Sequence, residues 1–269
     1  MLQAVVLMRA TPEPTTVTPY PAAHSVEAFQ SNLLAVRARI AVACERVGRA
    51  PTEVRLLPVS KTVPADRLRL AWEAGYRELG ENKVQEAAGK AEALADLPGL
   101  RWSVIGHLQT NKAKLVARFA SGFHALDSLR VAAELDRRLQ AGGRALEVLV
   151  QVNTSGEASK FGLPPEAVAD FVRALPAFSS LRVRGLMTLA RLSDDAARVR
   201  PCFALLRDLR ARLRQSAPDG VVMEELSMGM SGDFELAVEE GATMVRVGQA
   251  LFGARALPDS HYWPDPAGG

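Results

Sequence analysis

Residues 223–248 read MEELSMGMSGDFELAVEEGATMVRVG, two short apolar runs flanking a helical pattern. The run 223–229 is short, largely apolar and ends on a glycine. Phe234, Ala237, Val238 and Gly241 then follow at i, i+3, i+4 and i+7, and 243–248 is apolar again. A strand, an amphipathic helix and a second strand in this order form a crossover unit, the connection that parallel neighbours in a sheet require.

The same alternation runs outward from it. Apolar runs at 54–60, 77–80, 101–106, 122–127, 147–153 and 183–189 precede it, separated by helical patterns such as Leu68, Ala71, Trp72 and Gly75. Several of these patterns stop at a glycine, as a helix C-terminal cap does. Eight strands alternating with helices over about 200 residues predict an α/β chain folded as a single (β/α)8 TIM-type barrel rather than an open doubly wound sheet. Ahead of the first strand, Phe29, Leu33, Val36, Ile40, Ala43 and Val47 line one face of an extra N-terminal helix over 26–47. Pro58 conflicts with the first strand because it lacks a ladder donor, so a frayed or bulged position is expected for it. Residues 1–24, rich in Pro and Thr, read as a flexible arm, 25–256 as the barrel, and 257–269 as a surface tail.

The chain has 269 residues, 48% of them hydrophobic, which is enough to bury a sizeable core. Lys plus Arg number 33 against 30 Asp plus Glu, and the net charge of +3 is too small and dispersed to imply a nucleic-acid partner. Cys44 and Cys202 lie in helical segments without metal or redox spacing and read as buried apolar residues. No metal-ligand cluster, GxSxG or GxxxxGK[ST] pattern occurs. The apolar run from Leu2 to Met8 is cut short by Arg9, Pro12 and Pro14, and no stretch reaches the ~18 apolar residues of a membrane span. A cytoplasmic protein without membrane contact is expected.

In such barrels, functional residues sit at the C-terminal ends of the strands. Lys61 follows Val59 and Ser60 at the end of the first strand, where a lysine faces the barrel mouth and its amine can form an imine with an aldehyde. The competing reading is a solvated rim lysine. Beyond strands seven and eight, Ser227-Met228-Gly229-Met230-Ser231-Gly232-Asp233 and Arg246-Val247-Gly248-Gln249-Ala250 combine small residues, hydroxyls and a helix start that suit a phosphate. A Gly/Ser turn without a ligand is the alternative, and Asp233 is expected to turn away. Arg246, inside an apolar strand, needs either an ion-pair partner or a ligand heteroatom. Asn82 either binds a ligand or caps the next helix. Met187 is a candidate apolar wall for a ring, His107 reads as structural, and Lys160 reads as a solvated loop charge near the same rim. Arg207, Arg210, Arg212 and Arg214 read as the solvated face of an outer helix.

The segments Val59-Ser60-Lys61-Thr62, Gly80-Glu81-Asn82-Lys83-Val84-Gln85-Glu86 and Ile105-Gly106-His107-Leu108-Gln109-Thr110-Asn111-Lys112 occur in order along the chain. They are followed by Ser159-Lys160-Phe161-Gly162, Arg184-Gly185-Leu186-Met187, Leu226-Ser227-Met228-Gly229-Met230-Ser231 and Met244-Val245-Arg246-Val247-Gly248. From about Val26 to Arg255 the chain thereby resembles the YggS/PROSC family of pyridoxal phosphate homeostasis proteins, related in fold to the N-terminal barrel of alanine racemase. The resemblance implies pyridoxal 5'-phosphate held as an internal aldimine on Lys61. Ser227, Ser231 and Gly248 would help bind its phosphate, Arg246 would face its ring nitrogen, and Asn82 and Met187 would belong to the pocket, with Gly229 also among the cofactor-binding residues. An arginine at that nitrogen disfavours protonating it and weakens the ring as an electron sink.

About 20 residues follow strand eight and its loop, too few for the β-rich second domain of the racemases. The resemblance therefore implies a carrier or buffer in vitamin B6 and amino-acid homeostasis, monomeric or weakly dimeric, with no catalytic residue assigned and apo pyridoxal enzymes as candidate recipients. A weak amino-acid racemase and a cofactor-free Schiff-base lyase acting on sugar phosphates are the competing functions. The first two dozen residues match no family pattern. Pro58 stands where members more usually have a small residue such as alanine.

Overall fold

The computed structural model describes residues 20–254. Its eight strands are β1 (Arg55–Pro58), β2 (Glu78–Glu81), β3 (Arg101–Val104), β4 (Gly122–Leu126), β5 (Leu146–Gln151), β6 (Leu181–Met187), β7 (Glu225–Ser227) and β8 (Met244–Val247). Each falls within or beside a predicted run, and most are shorter than the run, because the apolar pattern continues into residues that no longer pair. All neighbours are parallel, in the order β1-β8-β7-β6-β5-β4-β3-β2. The ring closes through one parallel bridge between Val59 and Gly80, with the Ser60 amide donating to the Gly80 carbonyl at 3.0 Å.

That seam explains Pro58. Arg55 and Val59 send their amides to Thr243 and Val247 on the β8 side, whereas Ser60 sends its amide across to Gly80. Amides alternate along a strand, so the missing donor of Pro58 faces the seam, where the ladder is a single bridge. Pro58 is neither frayed nor bulged: it pairs in register with Val247.

The helices are α1 (Val26–Glu45), α2 (Ala65–Glu73), α3 (Val84–Ala93), α4 (Ala113–Phe119), α5 (Leu129–Ala141), α6 (Val168–Ala174), α7 (Ala196–Ser216), α8 (Phe234–Glu239) and α9 (Gln249–Phe252). Ser25 opens α1 by accepting the Ala28 amide on its hydroxyl. α1 precedes the barrel in sequence, as expected, yet packs between α8 and α2 and over α9. It thus fills the place in the outer ring that α9, four residues long, leaves open. An edge-to-face trio of Phe29, Tyr76 and Phe252, with centroids 5.7–5.8 Å apart, fastens it there.

The main core lies between the strands and the helices. A second, small apolar cluster of Leu57, Val59, Ile105 and Met244 fills the barrel interior. Below it, at the N-terminal end of the strands, Arg55 pairs with Glu225 at 3.1 Å and Arg101 with Glu78 at 3.0 Å, and Ser103 donates to Glu78 at 2.7 Å. This polar layer closes the end opposite the mouth. Of the expected arm over 1–24, residues 1–19 lie outside the described residues, as does the tail over 257–269. Tyr20 accepts the Ala254 amide on its carbonyl at 2.8 Å, and Ala23 is buried and accepts from Arg67. No helix among the described residues is long and apolar enough to cross a membrane.

Candidate functional site

Lys61 leaves β1 two residues beyond the bridge that closes the barrel, and Asn82 leaves β2 two residues beyond the same bridge. The parallel register therefore sets the two level across the seam. Lys61 lies in a four-residue turn, Ser60 to Val63, closed by the Val63 amide on the Ser60 carbonyl at 3.0 Å. Thr62, the third residue of that turn, has a φ of 64° and is the single non-glycine residue with positive φ among the described ones. Lys61 and Gly248 line one cleft of about 280 Å³, together with Val59, Thr62, Arg67 and Gln249. The cleft lies at the C-terminal ends of β1 and β8, where the fold predicts chemistry.

Asn82 is half-buried, and its side chain makes no hydrogen bond among the described residues. It does not cap the next helix: α3 begins after Lys83, without a side-chain cap. The backbone of Asn82 is approached closely by Gly106, where a Cβ would come within 2.4 Å of its carbonyl oxygen. That fit requires glycine at 106.

Arg246 is 3% exposed and points into the barrel two residues beyond Met244. Of the two readings of Arg246, the ion pair is not formed: no carboxylate among the described residues pairs with it, and its guanidinium donates instead to Ser227 Oγ and to the Thr188 carbonyl, each at 2.8 Å. Burial lowers its pKa to about 10, against a raising influence from Asp233, so it stays cationic near neutrality. Ser227 is fully buried, level with Met187 in the β6–β7 register, and its hydroxyl also reaches Met244 Sδ at 3.7 Å. Met187 is likewise fully buried.

The loop after β7 and the start of α9 are joined by the Gly248 amide, which donates to Ser231 Oγ at 3.2 Å. As an acceptor in that bond, Ser231 keeps its own proton for a further partner. Gly229 has a φ of 91°, and a Cβ there would lie 2.5 Å from Ala237 Cβ and 2.9 Å from Phe234 Cα. The loop therefore packs directly on α8 only because 229 is glycine. Asp233 is engaged within its own loop. Its carboxylate accepts the Met230 amide at 2.5 Å, and burial pushes its pKa up.

His107 stacks on Phe161, with centroids 3.9 Å apart, and its Nδ1 lies 3.9 Å from Asp127, in keeping with a structural role. Lys160 is not a solvated loop charge. Its side chain is 15% exposed, pairs with Glu157 at 2.5 Å and donates to the Ala190 carbonyl at 2.8 Å, tying the loops after β5 and β6 together. The arginine face of α7 is also more engaged than expected, since Arg207 pairs with Glu240 and Arg210 donates to the Glu224 carbonyl. Both cysteines are free and buried, and no cluster among the described residues could hold a metal.

Four residues escaped the sequence reading. Thr188 accepts from Arg246 through its carbonyl. His124, 4% exposed, lines the polar cavity of Arg55, Glu78 and Glu225 below the site, and burial followed by the charges of Arg246 and Arg55 lowers its pKa to about 3. Glu86 and Lys90 of α3 form an ion pair under the Lys61 turn. Their i,i+4 spacing was visible but reads as an ordinary surface pair.

The family model for the N-terminal domain of alanine racemase matches residues 31–256. The pyridoxal phosphate homeostasis protein of Pseudomonas aeruginosa is 46% identical over 227 residues, covering 83% of this chain and 94% of that protein. The protein of the same name from Aquifex aeolicus is 42% identical over 217 residues, covering 81% and 94%. Among solved structures, PipY of Synechococcus elongatus with PLP bound superposes with a TM-score of 0.74 at 38% identity, covering 84% of this chain and all of that one.

Proposed function

The chain belongs to the family of pyridoxal phosphate homeostasis proteins, built on the alanine racemase N-terminal domain, and from that premise we propose that it binds pyridoxal 5'-phosphate on Lys61. In this reading it serves as a cytoplasmic carrier or buffer in vitamin B6 and amino-acid homeostasis, supplying apo pyridoxal enzymes. The observation that carries the proposal is that Lys61, at the end of β1, shares one cleft with Gly248 at the end of β8.

The residues present suit the group. Among the described residues, the buried guanidinium has no carboxylate partner and the half-buried side-chain amide of Asn82 has no hydrogen bond, so both are polar groups incompletely matched there. Lys61 would supply the amine that condenses with the cofactor's aldehyde, one water leaving, to give a Schiff base. Ser231 and the amides of its loop would contact the phosphate, beside Gly229 and Gly248. Ser227, whose hydroxyl is already committed to Arg246, would act by orienting that cation. Arg246 would face the ring nitrogen, and Asn82 and Met187 would line the pocket. When bound, the cofactor can act as an electron sink. A fixed cation at its ring nitrogen opposes the protonation that would strengthen that sink, and this favours holding over turnover.

Borohydride trapping with mass analysis tests the reading. The expected result is a mass increment of reduced pyridoxal phosphate on Lys61, absent in Lys61→Ala, with no amino-acid-dependent deuterium exchange at Cα. An unmodified Lys61 in the loaded wild-type chain would exclude the proposal.

A further inference from the structure

Lys90 stands on α3, yet it is 8% exposed. All three of its ammonium protons are used: on the Ser60 carbonyl at 2.8 Å, on Glu81 Oε1 at 2.7 Å and on Glu86 Oε1 at 2.6 Å. Each of these acceptors touches the turn that carries Lys61. The Ser60 carbonyl immediately precedes Lys61. Glu81 Oε1 also accepts from the Ser60 hydroxyl at 2.6 Å. Glu86 Oε1 also accepts the amide of Thr62, immediately after Lys61, at 2.9 Å. One buried ammonium thereby gathers the backbone on both sides of the lysine.

The turn itself calls for such restraint. A turn of this length with positive φ at its third residue is normally built with Gly or Asn. Here that residue is Thr62, β-branched and held at 64°. A side chain in that region persists only when its surroundings over-determine it. A pair serving the helix alone would sit on its solvent face and would not reach across to β1. Burial acts to raise the Glu86 carboxyl, but the hydrogen bond and charge of Lys90, with the Thr62 amide, outweigh it and hold the group below its ordinary value.

We propose that Lys90 and Glu86 are positioning residues for Lys61: their buried pair clamps the Ser60–Val63 turn and so sets the direction in which the Lys61 amine enters the cleft. The proposal deepens the assignment of Lys61 as the attachment lysine and rests on it.

Two readings on the full-length protein test it. Competitive acetylation of the cofactor-free chain, followed peptide by peptide by mass, reports the reactivity of the Lys61 amine. Loading with pyridoxal phosphate and then borohydride reports its capture. Glu86→Ala is the leading variant, because Glu86 is 30% exposed and its loss leaves Lys90 paired with Glu81. Acetylation of Lys61 should change several-fold relative to the other lysines, and capture should slow roughly tenfold, as expected of a misplaced reacting group.

Adding Thr62→Asn to that chain should restore both readings, because Asn tolerates the left-handed region unaided. Lys90→Arg provides the same readings in a chain that keeps the buried charge, since a planar guanidinium cannot direct three bonds from one nitrogen. Unchanged Lys61 acetylation in Glu86→Ala overturns the clamp, as does a loss that Thr62→Asn fails to recover. A wild-type Lys61 that acetylates but is never trapped overturns the attachment role instead, and the clamp is then decided by acetylation and its rescue.

Discussion

The guanidinium of Arg246 donates to the hydroxyl of Ser227 at 2.8 Å, deep in the barrel. This bond joins β8 to β7 and makes the serine the cation's partner. Ser227→Ala leaves a buried, charged donor short of an acceptor, and a loss of about 1–3 kcal/mol in unfolding free energy is expected from denaturant titration. In a cycle with Arg246→Leu, the double variant should lose clearly less than the sum of the singles, because both remove the same bond.

Gly229→Ala should be far more costly than its size suggests. The new methyl would meet Ala237 Cβ at 2.5 Å and the Phe234 backbone at 2.9 Å, at a φ of 91°. Neither neighbour is the end of a flexible chain, so a loss of about 3 kcal/mol is expected. Gly232→Ala in the same loop, where no atom lies within 4 Å of the added carbon, is the control.

Asn82→Ala separates ligand binding from structure. Its side chain makes no hydrogen bond among the described residues, so stability should move by less than about 0.5 kcal/mol. Affinity for pyridoxal phosphate, measured by spectroscopic titration, should nevertheless weaken by roughly tenfold, the value of about one hydrogen bond. Equal affinity would remove Asn82 from the pocket.

His124 predicts a pH dependence. Its folded pKa, about 3, lies below the ordinary 6.5, so between these values the unfolded chain binds the extra proton. Stability from this group is complete above pH 6.5 and is lost as pH falls, by up to about 1.4 kcal/mol per unit. Buried carboxyls with raised values, such as Glu81 and Glu225, act in the opposite sense. The measurement is therefore the difference in slope between wild type and His124→Gln from pH 6.5 to 5. Equal slopes would show that His124 does not stay neutral in the folded chain.

Much of the candidate site was legible because barrels place chemistry by position along a strand. Lys61, Asn82, Met187, Ser227, Arg246 and Gly248 could each be named from a strand end or the residues just beyond. Their relations could not. Arg246 offered two partners on sequence grounds, an ion pair or a ligand, and the chain supplies a third, Ser227 and Thr188. Lys160 reads as solvated because it lies in a loop beyond a strand, whereas its ammonium donates to the carbonyl of Ala190, 30 positions away. Lys90 reads as half of a helical surface pair, and its burial against Ser60 follows from how α3 packs on β2 and β3.

The barrel, its eight strands, the helix ahead of them and the end at which a site is expected could all be read from the residues alone. These follow from short-range periodicity and from the geometry of parallel crossovers. Pairing between distant segments settled that the barrel closes on a single bridge beside Lys61, that Pro58 fits there, and that Lys90 and Glu86 bond to the carbonyl and the amide on either side of Lys61. Each of those depends on register and burial between segments distant in the chain, and no local pattern of residue types encodes which donor meets which acceptor across them.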